Sequence, residues 1–231
     1  MYDKMLFYND NIPYLFHSNI LEYDMNAASL SLSERFGLLP KETIERLKRL
    51  PKQQRVIETG LIRRNDKEFS VVVDKKLLEI REQFINENNI TPEEIISLHS
   101  DAIIFASRKK IKNNIDGIQF KEAMRCTGYI NYKRIEMFYN DGYIDYKGAV
   151  QQLIDQQRMG INLYLIKIFK YIENYDTQIL KYMSRFQRDY LMDQLQEFVY
   201  ESFGRLGDFK YANLELFAYI ANIVVQEMKR W

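Results

Sequence analysis

Two aspartates stand where apolar, β-prone runs end, a position that suits them for metal chemistry. Asp24 closes the run Ile20-Leu21-Glu22-Tyr23, and Asp101 sits at the polar tip between Ile95-Ile96-Ser97-Leu98 and Ala102-Ile103-Ile104-Phe105. If these runs are neighbouring strands, both carboxylates leave the sheet at the same edge. Mg²⁺ prefers oxygen ligands and is commonly held by one or two carboxylates together with substrate phosphates. Two such ions stabilise both the attacking and the leaving oxygen of a phosphoryl displacement. Asp24 and Asp101 are therefore candidate catalytic and metal-ligating residues. A plainer use stays open: an Asp at a strand end also forms turns, and Asp24, ahead of a helix, could cap it by accepting backbone N–H bonds.

Cations accompany the acids. Between Lys41 and Lys67 lie nine bases (Lys41, Arg46, Lys48, Arg49, Lys52, Arg55, Arg63, Arg64, Lys67) against four acids (Glu42, Glu45, Glu58, Asp66). Lys52 and Arg55, three apart, share a helix face and could reach a triphosphate, the arginine fork taking two oxygens at once. A solvated helix face is the other use of the same charges. A second group, Arg108, Lys109 and Lys110 with Lys112, follows the Asp101 tip and suits a nucleic-acid backbone, where phosphate contacts give affinity without sequence preference. His99 has the intrinsic pKa of an acid–base residue and equally suits a hydrogen-bonded structural place.

The elements that must position these residues follow from periodicity and breakers. Ile20 to Asp24 is a strand, and Asn26 to Leu39 a helix closing at Gly37. Pro40 and Lys41 open a second helix with apolar residues Ile44, Leu47 and Leu50; Pro51 ends it and begins a third. A helix over Lys75 to Asn88 presents Leu77, Leu78, Ile80, Arg81, Phe84 and Ile85 on one apolar face. Residues 95–107 form a buried hairpin with His99-Ser100-Asp101 at its tip, and 118–126 and 128–140 continue the sheet. Asn140-Asp141-Gly142 supplies the positive-φ residues of a further hairpin. All four prolines lie in the first 92 residues; the last 84 have none and show apolar residues at helical spacing, which predicts an antiparallel helical bundle from about Gly148.

Composition narrows the classes. The 231 residues are enough for one large domain or a domain with an appendage, and 46% hydrophobic with 28% charged residues is an ordinary folded composition. Aromatics reach 14%, but Tyr and Phe beside abundant Ile, Lys and Asn fit coding by an AT-rich genome as well as a base-stacking surface. A net charge of +1 provides no global basic field, so nucleic-acid contact requires local patches. One cysteine, Cys126, and two histidines, His17 and His99, exclude an internal disulfide and a multi-cysteine zinc site. No Walker or Rossmann phosphate loop occurs. Acidic and amide residues interrupt the start of the chain, and no run approaches the ~18 apolar residues of a membrane span. The expected location is the cytoplasm, without a membrane partner.

Three segments resemble the motifs of family B DNA polymerases. Asp24-Met25-Asn26-Ala27-Ala28-Ser29-Leu30-Ser31 is similar to the first palm motif, with Asp24, Asn26 and Ser31 in register. Lys52-Gln53-Gln54-Arg55-Val56-Ile57-Glu58-Thr59-Gly60 resembles the finger-helix motif, with Lys52 and Gly60 in register. Leu98-His99-Ser100-Asp101-Ala102-Ile103 resembles the third motif, and Asp101 falls on its metal-binding aspartate. The motifs occur in the family's order across about a third of the chain. Departures are His99 for the first aspartate of the third motif, Ala28 and Ser29 for a Leu-Tyr pair, and Val56 and Thr59 for residues that help select the nucleotide.

The resemblance implies an α+β fold: a palm-like antiparallel sheet with helices on one face over residues 1–147, including basic finger-like helices at 41–67, then an α-helical domain at 148–231. It implies a small, divergent, phage-type nucleotidyltransferase using Mg²⁺ on Asp24 and Asp101, with Lys52, Arg55 and Gly60 on a nucleoside triphosphate and Arg108, Lys109 and Lys110 on nucleic acid, DNA being favoured. The alternative is a catalytically silent relative serving as a nucleic-acid-binding or subunit-contact module of a phage replication or transcription complex. The length leaves no room for a proofreading exonuclease domain, which favours that alternative.

Overall fold

The computed structural model describes residues 4–153 and, beyond them, positions 158, 162, 165–166, 168–170, 215–216, 218–220, 222–223 and 226, each helical. The fold is α+β, with two sheets and several helices. Two compact units emerge: Met1–Asn9 with Asn19–Arg125, and Asp10–Ser18 with Cys126–Trp231. The division expected at 147/148 turns on C-terminal helices most of whose residues lie outside those described.

The first unit is built on a six-stranded sheet. Its strands are β1 (Leu6–Tyr8), β3 (Ile20–Met25), β4 (Ile95–His99), β5 (Ala102–Ala106), β6 (Asn114–Ile115) and β7 (Ile118–Cys126), in the order β1-β4-β5-β3-β7-β6; β2 (Tyr14–Leu15) belongs to the other sheet. The central β3 pairs antiparallel with β5, with Asp24 opposite Ala102, and β4–β5 is the expected hairpin. Alternation along β3 sends Leu21, Tyr23 and Met25 into one core and Glu22 and Asp24 to the other side. Helices α1 (Ala28–Phe36) and α4 (Lys67–Glu87) fill that core, where Phe84 packs its ring against Tyr23, Phe105 and Phe120. Between them run α2 (Lys41–Arg49) and α3 (Lys52–Asn65).

Local chemistry accounts for the helix boundaries. Gly37 ends α1 in the left-handed region at φ 63°, where its N–H returns to the Ser33 carbonyl. Pro40 and Pro51 stand immediately before α2 and α3. Helix α4 starts two turns before the expected Lys75, because Asp66 caps it by accepting from the Phe69 N–H at 2.9 Å and because Phe69 and Val73 extend the buried stripe through Leu77, Ile80 and Phe84. Within this first stretch Val71 and Val72 are exposed, and their β-branched side chains lower helix propensity only slightly.

The second unit corrects another expectation. Residues 128–140 do not continue the first sheet; β8 (Gly128–Tyr132), β9 (Ile135–Asn140) and β10 (Tyr143–Gly148) form a four-stranded sheet in the order β10-β9-β8-β2. Thr127 redirects the chain, donating to the Tyr139 carbonyl and accepting from the Ser18 N–H, both at 3.0 Å. The Asn140-Asp141-Gly142 turn is present, with positive φ at Asp141 and Gly142. Ile130, Tyr132, Met137 and Tyr139 pack against described helical residues Leu165, Ile168, Phe169, Leu216 and Ile220. The rest of the expected bundle lies outside the described residues.

Candidate functional site

In the first unit, the end of β3, the β4–β5 turn, the start of α1 and one face of α3 enclose a cleft of about 550 Å³. Asp24 and Asp101 lie in it together with Lys52, Arg55 and Gly60. All five residues singled out from the three motifs thus line one cavity. Register explains the acid pair: Asp24 stands opposite Ala102, the residue after Asp101, and the Met25 N–H donates to the Asp101 carbonyl at 3.0 Å. The two carboxyl groups line the same cleft and act on each other electrostatically.

Burial raises the pKa of the Asp101 carboxyl above its ordinary value, and the neighbouring Asp24 carboxylate pushes it further the same way. Its own backbone N–H works against this, and Glu22, buried two residues before Asp24, adds a smaller upward push. Asp24 does not cap α1: the N-cap is Ala27, in the left-handed region at φ 47°, and no side chain caps the helix. The capping role open to Asp24 is therefore not the one it takes. The uncapped residues Ala27 to Leu30 instead line the cleft, adding the positive end of the α1 dipole.

The opposite wall is α3. Lys52, Arg55, Val56, Thr59, Gly60 and Arg63 all line the cleft, and their 3-1-3-1-3 spacing is that of one helical face. Arg55 Nε is buried without a hydrogen-bond partner among the described residues. Arg63, counted among the nine bases but not singled out as a site residue, lies eight residues, about two turns, beyond Arg55. It ties three helices together, reaching Ser29 Oγ and Ser70 Oγ at 3.3 Å each and pairing with Asp74. Lys121, on β7, places Nζ 3.6 Å from Asp24 Oδ2; no local pattern announces it, because strand pairing brings it from almost a hundred residues away.

Other expected residues lie elsewhere. Arg108, Lys109 and Lys110 follow β5 at the end opposite Asp101, one strand length or roughly 16 Å away. Lys109 is engaged there with the Asn89 carbonyl and, at 3.0 Å, with Glu94. His99 packs edge-on against the Tyr8 ring, with centroids 5.5 Å apart. Cys126 is a buried thiol.

The cleft therefore sets an acid pair against a cationic wall, an arrangement complementary to a cation bound to a polyanion. Two carboxylates suffice for Mg²⁺ when waters and phosphates complete its shell. No cluster of three or more His, Cys, Asp or Glu is placed to hold a metal among the described residues, so an ion here would depend on those partners. No helix among the described residues is long and apolar enough to cross a membrane.

Comparison with known proteins gives one result that covers the chain. Residues 1–231 match the family described as Bacteriophage PBS1 gene 130 protein. No curated protein matches the chain. The match spans every residue, and on that basis the chain belongs to the phage family of the Bacteriophage PBS1 gene 130 protein.

Proposed function

We propose that the protein is a divergent palm-type nucleotidyltransferase, similar to a DNA polymerase, acting on nucleoside triphosphate and nucleic acid in the host cytoplasm. The observation that carries this reading is the joint presence of Asp24, Asp101, Lys52, Arg55 and Gly60 in one cleft. They come from three separate segments, each of which resembles a family B polymerase motif in the same order.

Asp24 and Asp101 would hold Mg²⁺, replacing the proton that burial and mutual repulsion favour on Asp101. When bound, Mg²⁺ lowers the pKa of an attacking hydroxyl and neutralises the pyrophosphate that leaves. Lys52 and Arg55 bind the triphosphate, and the Arg55 Nε finds there an acceptor that none of the described residues provides. Arg63 and the α1 N-terminus add positive potential to the same wall. The 3′-oxygen of a primer forms a bond to the α-phosphorus, the bond to pyrophosphate breaks, and the hydroxyl proton passes to solvent. Arg108 and Lys110 contact nucleic-acid backbone outside the cleft.

The test is Mg²⁺-dependent nucleotide incorporation on primed DNA by wild type and Asp101→Asn. The variant should keep its fold, by circular dichroism, and lose incorporation; retained incorporation would exclude the mechanism.

One observation favours a second reading. Lys121 already sets a positive charge beside Asp24, as it would in a silent relative serving as a nucleic-acid-binding or subunit-contact module of a phage replication or transcription complex. That module would bind primed DNA in a salt-dependent manner without carboxylate-dependent Mg²⁺ binding.

A further inference from the structure

Arg81 lies on α4 and is fully buried. Its Nη1 donates to the Ser100 carbonyl at 2.8 Å and reaches the Met5 carbonyl at 3.5 Å, and its Nη2 donates to the Lys4 carbonyl. Burial pushes its pKa down to about 10, so the guanidinium keeps its charge at neutral pH. Burying a cation is costly, and a core helix face beside Ile80 and Phe84 would ordinarily carry an apolar residue.

What the charge holds is the turn that carries Asp101. Ser100 sits at φ 45°, in the left-handed region that a non-glycine residue occupies only when its surroundings fix it there. Its N–H donates to the Met5 carbonyl at 2.7 Å, its carbonyl accepts from Arg81, and the next carbonyl, that of Asp101, accepts from the Met25 N–H. The Ser100 carbonyl and the Asp101 N–H belong to one planar peptide. Holding the carbonyl therefore fixes the plane of the peptide that leads into the Asp101 Cα, and with the Met25 bond on the far side it sets where the Asp101 side chain leaves the backbone.

The geometry points to Arg81 as a positioning residue for the cleft: from within the core it fixes the Ser100–Asp101 peptide, and so the placement of the Asp101 carboxylate beside Asp24. This inference rests on the reading of those two carboxylates as the Mg²⁺-holding pair. It acts through the peptide, since Arg81 does not line the cleft.

The experiment compares full-length wild type, Arg81→Met and Arg81→Lys by calorimetry, titrating Mg²⁺ alone and, separately, a nucleoside triphosphate in the presence of EDTA. Arg81→Met should bind Mg²⁺ about 10- to 100-fold more weakly, the usual loss when a group supporting a metal ligand is removed. Triphosphate binding, which depends on Lys52 and Arg55, should be unchanged. Arg81→Lys keeps the charge and should recover part of the Mg²⁺ affinity; it is the variant read if Arg81→Met does not fold. Unchanged Mg²⁺ affinity, or an equal loss of both affinities, would overturn the inference. If wild type itself binds no Mg²⁺, the nucleotidyltransferase reading fails, and Arg81 is judged on amide hydrogen exchange at Asp101. Faster exchange in the variant then supports the positioning role, and equal rates overturn it.

Discussion

The Met25 N–H donates to the Asp101 carbonyl at 3.0 Å, one step beyond the pairing of Asp24 with Ala102. This bond fastens the end of β3 to the β4–β5 turn and sets two carboxylates side by side at one sheet edge. Their proximity is thus a property of strand register. A one-residue slip of β3 would turn Asp24 into the apolar core and bring Tyr23 or Met25 to the cleft.

Asp101 should make the fold less stable when it is ionised. Its folded-state pKa is raised by burial and by Asp24, so the stabilisation from its protonated form is fully present below the unfolded value of 3.8 and is lost as pH rises through the higher folded value. Compared with Asp101→Asn, wild type should therefore gain thermal stability as pH falls through that interval. At neutral pH, Asp101→Asn should melt higher than wild type while losing Mg²⁺-dependent incorporation. Thermal unfolding at a series of pH values checks both signs.

Lys52→Ala and Arg55→Ala should each raise KM for nucleoside triphosphate about tenfold or more, the loss expected for one charge-assisted hydrogen bond. Lys52 is exposed, so its removal should leave the unfolding midpoint almost unchanged. Steady-state kinetics beside a melting curve separates the two effects.

Gly60 lies inside α3, and a Cβ built there meets nothing within 4 Å. Gly60→Ala should stabilise the protein by about 0.5–1 kcal/mol, because alanine loses less backbone entropy in a helix. Gly60→Leu would extend into the cleft and should weaken triphosphate binding without unfolding the chain. Chemical denaturation measures the first effect and calorimetric titration the second.

Gly128 begins β8, and a Cβ on it would overlap the Phe169 ring. That ring is stacked on Tyr139 with centroids 4.6 Å apart. Gly128→Ala should therefore cost roughly 1–3 kcal/mol, as overpacking usually does. Nucleotide affinity should be retained by the folded fraction, because neither residue lines the cleft.

Arg108→Ala with Lys110→Ala should leave triphosphate affinity intact, since both residues lie at the far end of β5. If they neutralise backbone phosphates, the slope of log affinity for duplex DNA against log salt should fall by about 0.9 for each phosphate left without its cation. An unchanged slope would remove them from the interface.

Much of the first unit was legible because its signals are local. Pro40, Pro51 and Gly37 mark helix boundaries by their own backbone chemistry, and the apolar runs around Asp101 read as a hairpin. Asp24, Lys52, Arg55, Gly60 and Asp101 could be named from motif spacing, and Arg63 from the same helical face. Lys121 and Arg81 could not. Lys121 reaches the cleft through strand order, which alternation does not encode, and although periodicity puts Arg81 on the apolar face of its helix, the distant carbonyls it meets there are not written in that pattern. The second sheet was missed for the same reason: residues 128–140 are plainly β-prone, but their pattern does not say which strand they pair with.

The most direct test of the acid pair is calorimetric titration of Mg²⁺ into wild type and into Asp24→Asn and Asp101→Asn, at a pH where wild-type carboxylates are ionised. A two-carboxylate site requires a saturable Mg²⁺ heat in wild type that either substitution removes while the circular dichroism spectrum is preserved. Wild type that binds no Mg²⁺, with or without nucleoside triphosphate, or variants that bind it as wild type does, would contradict it.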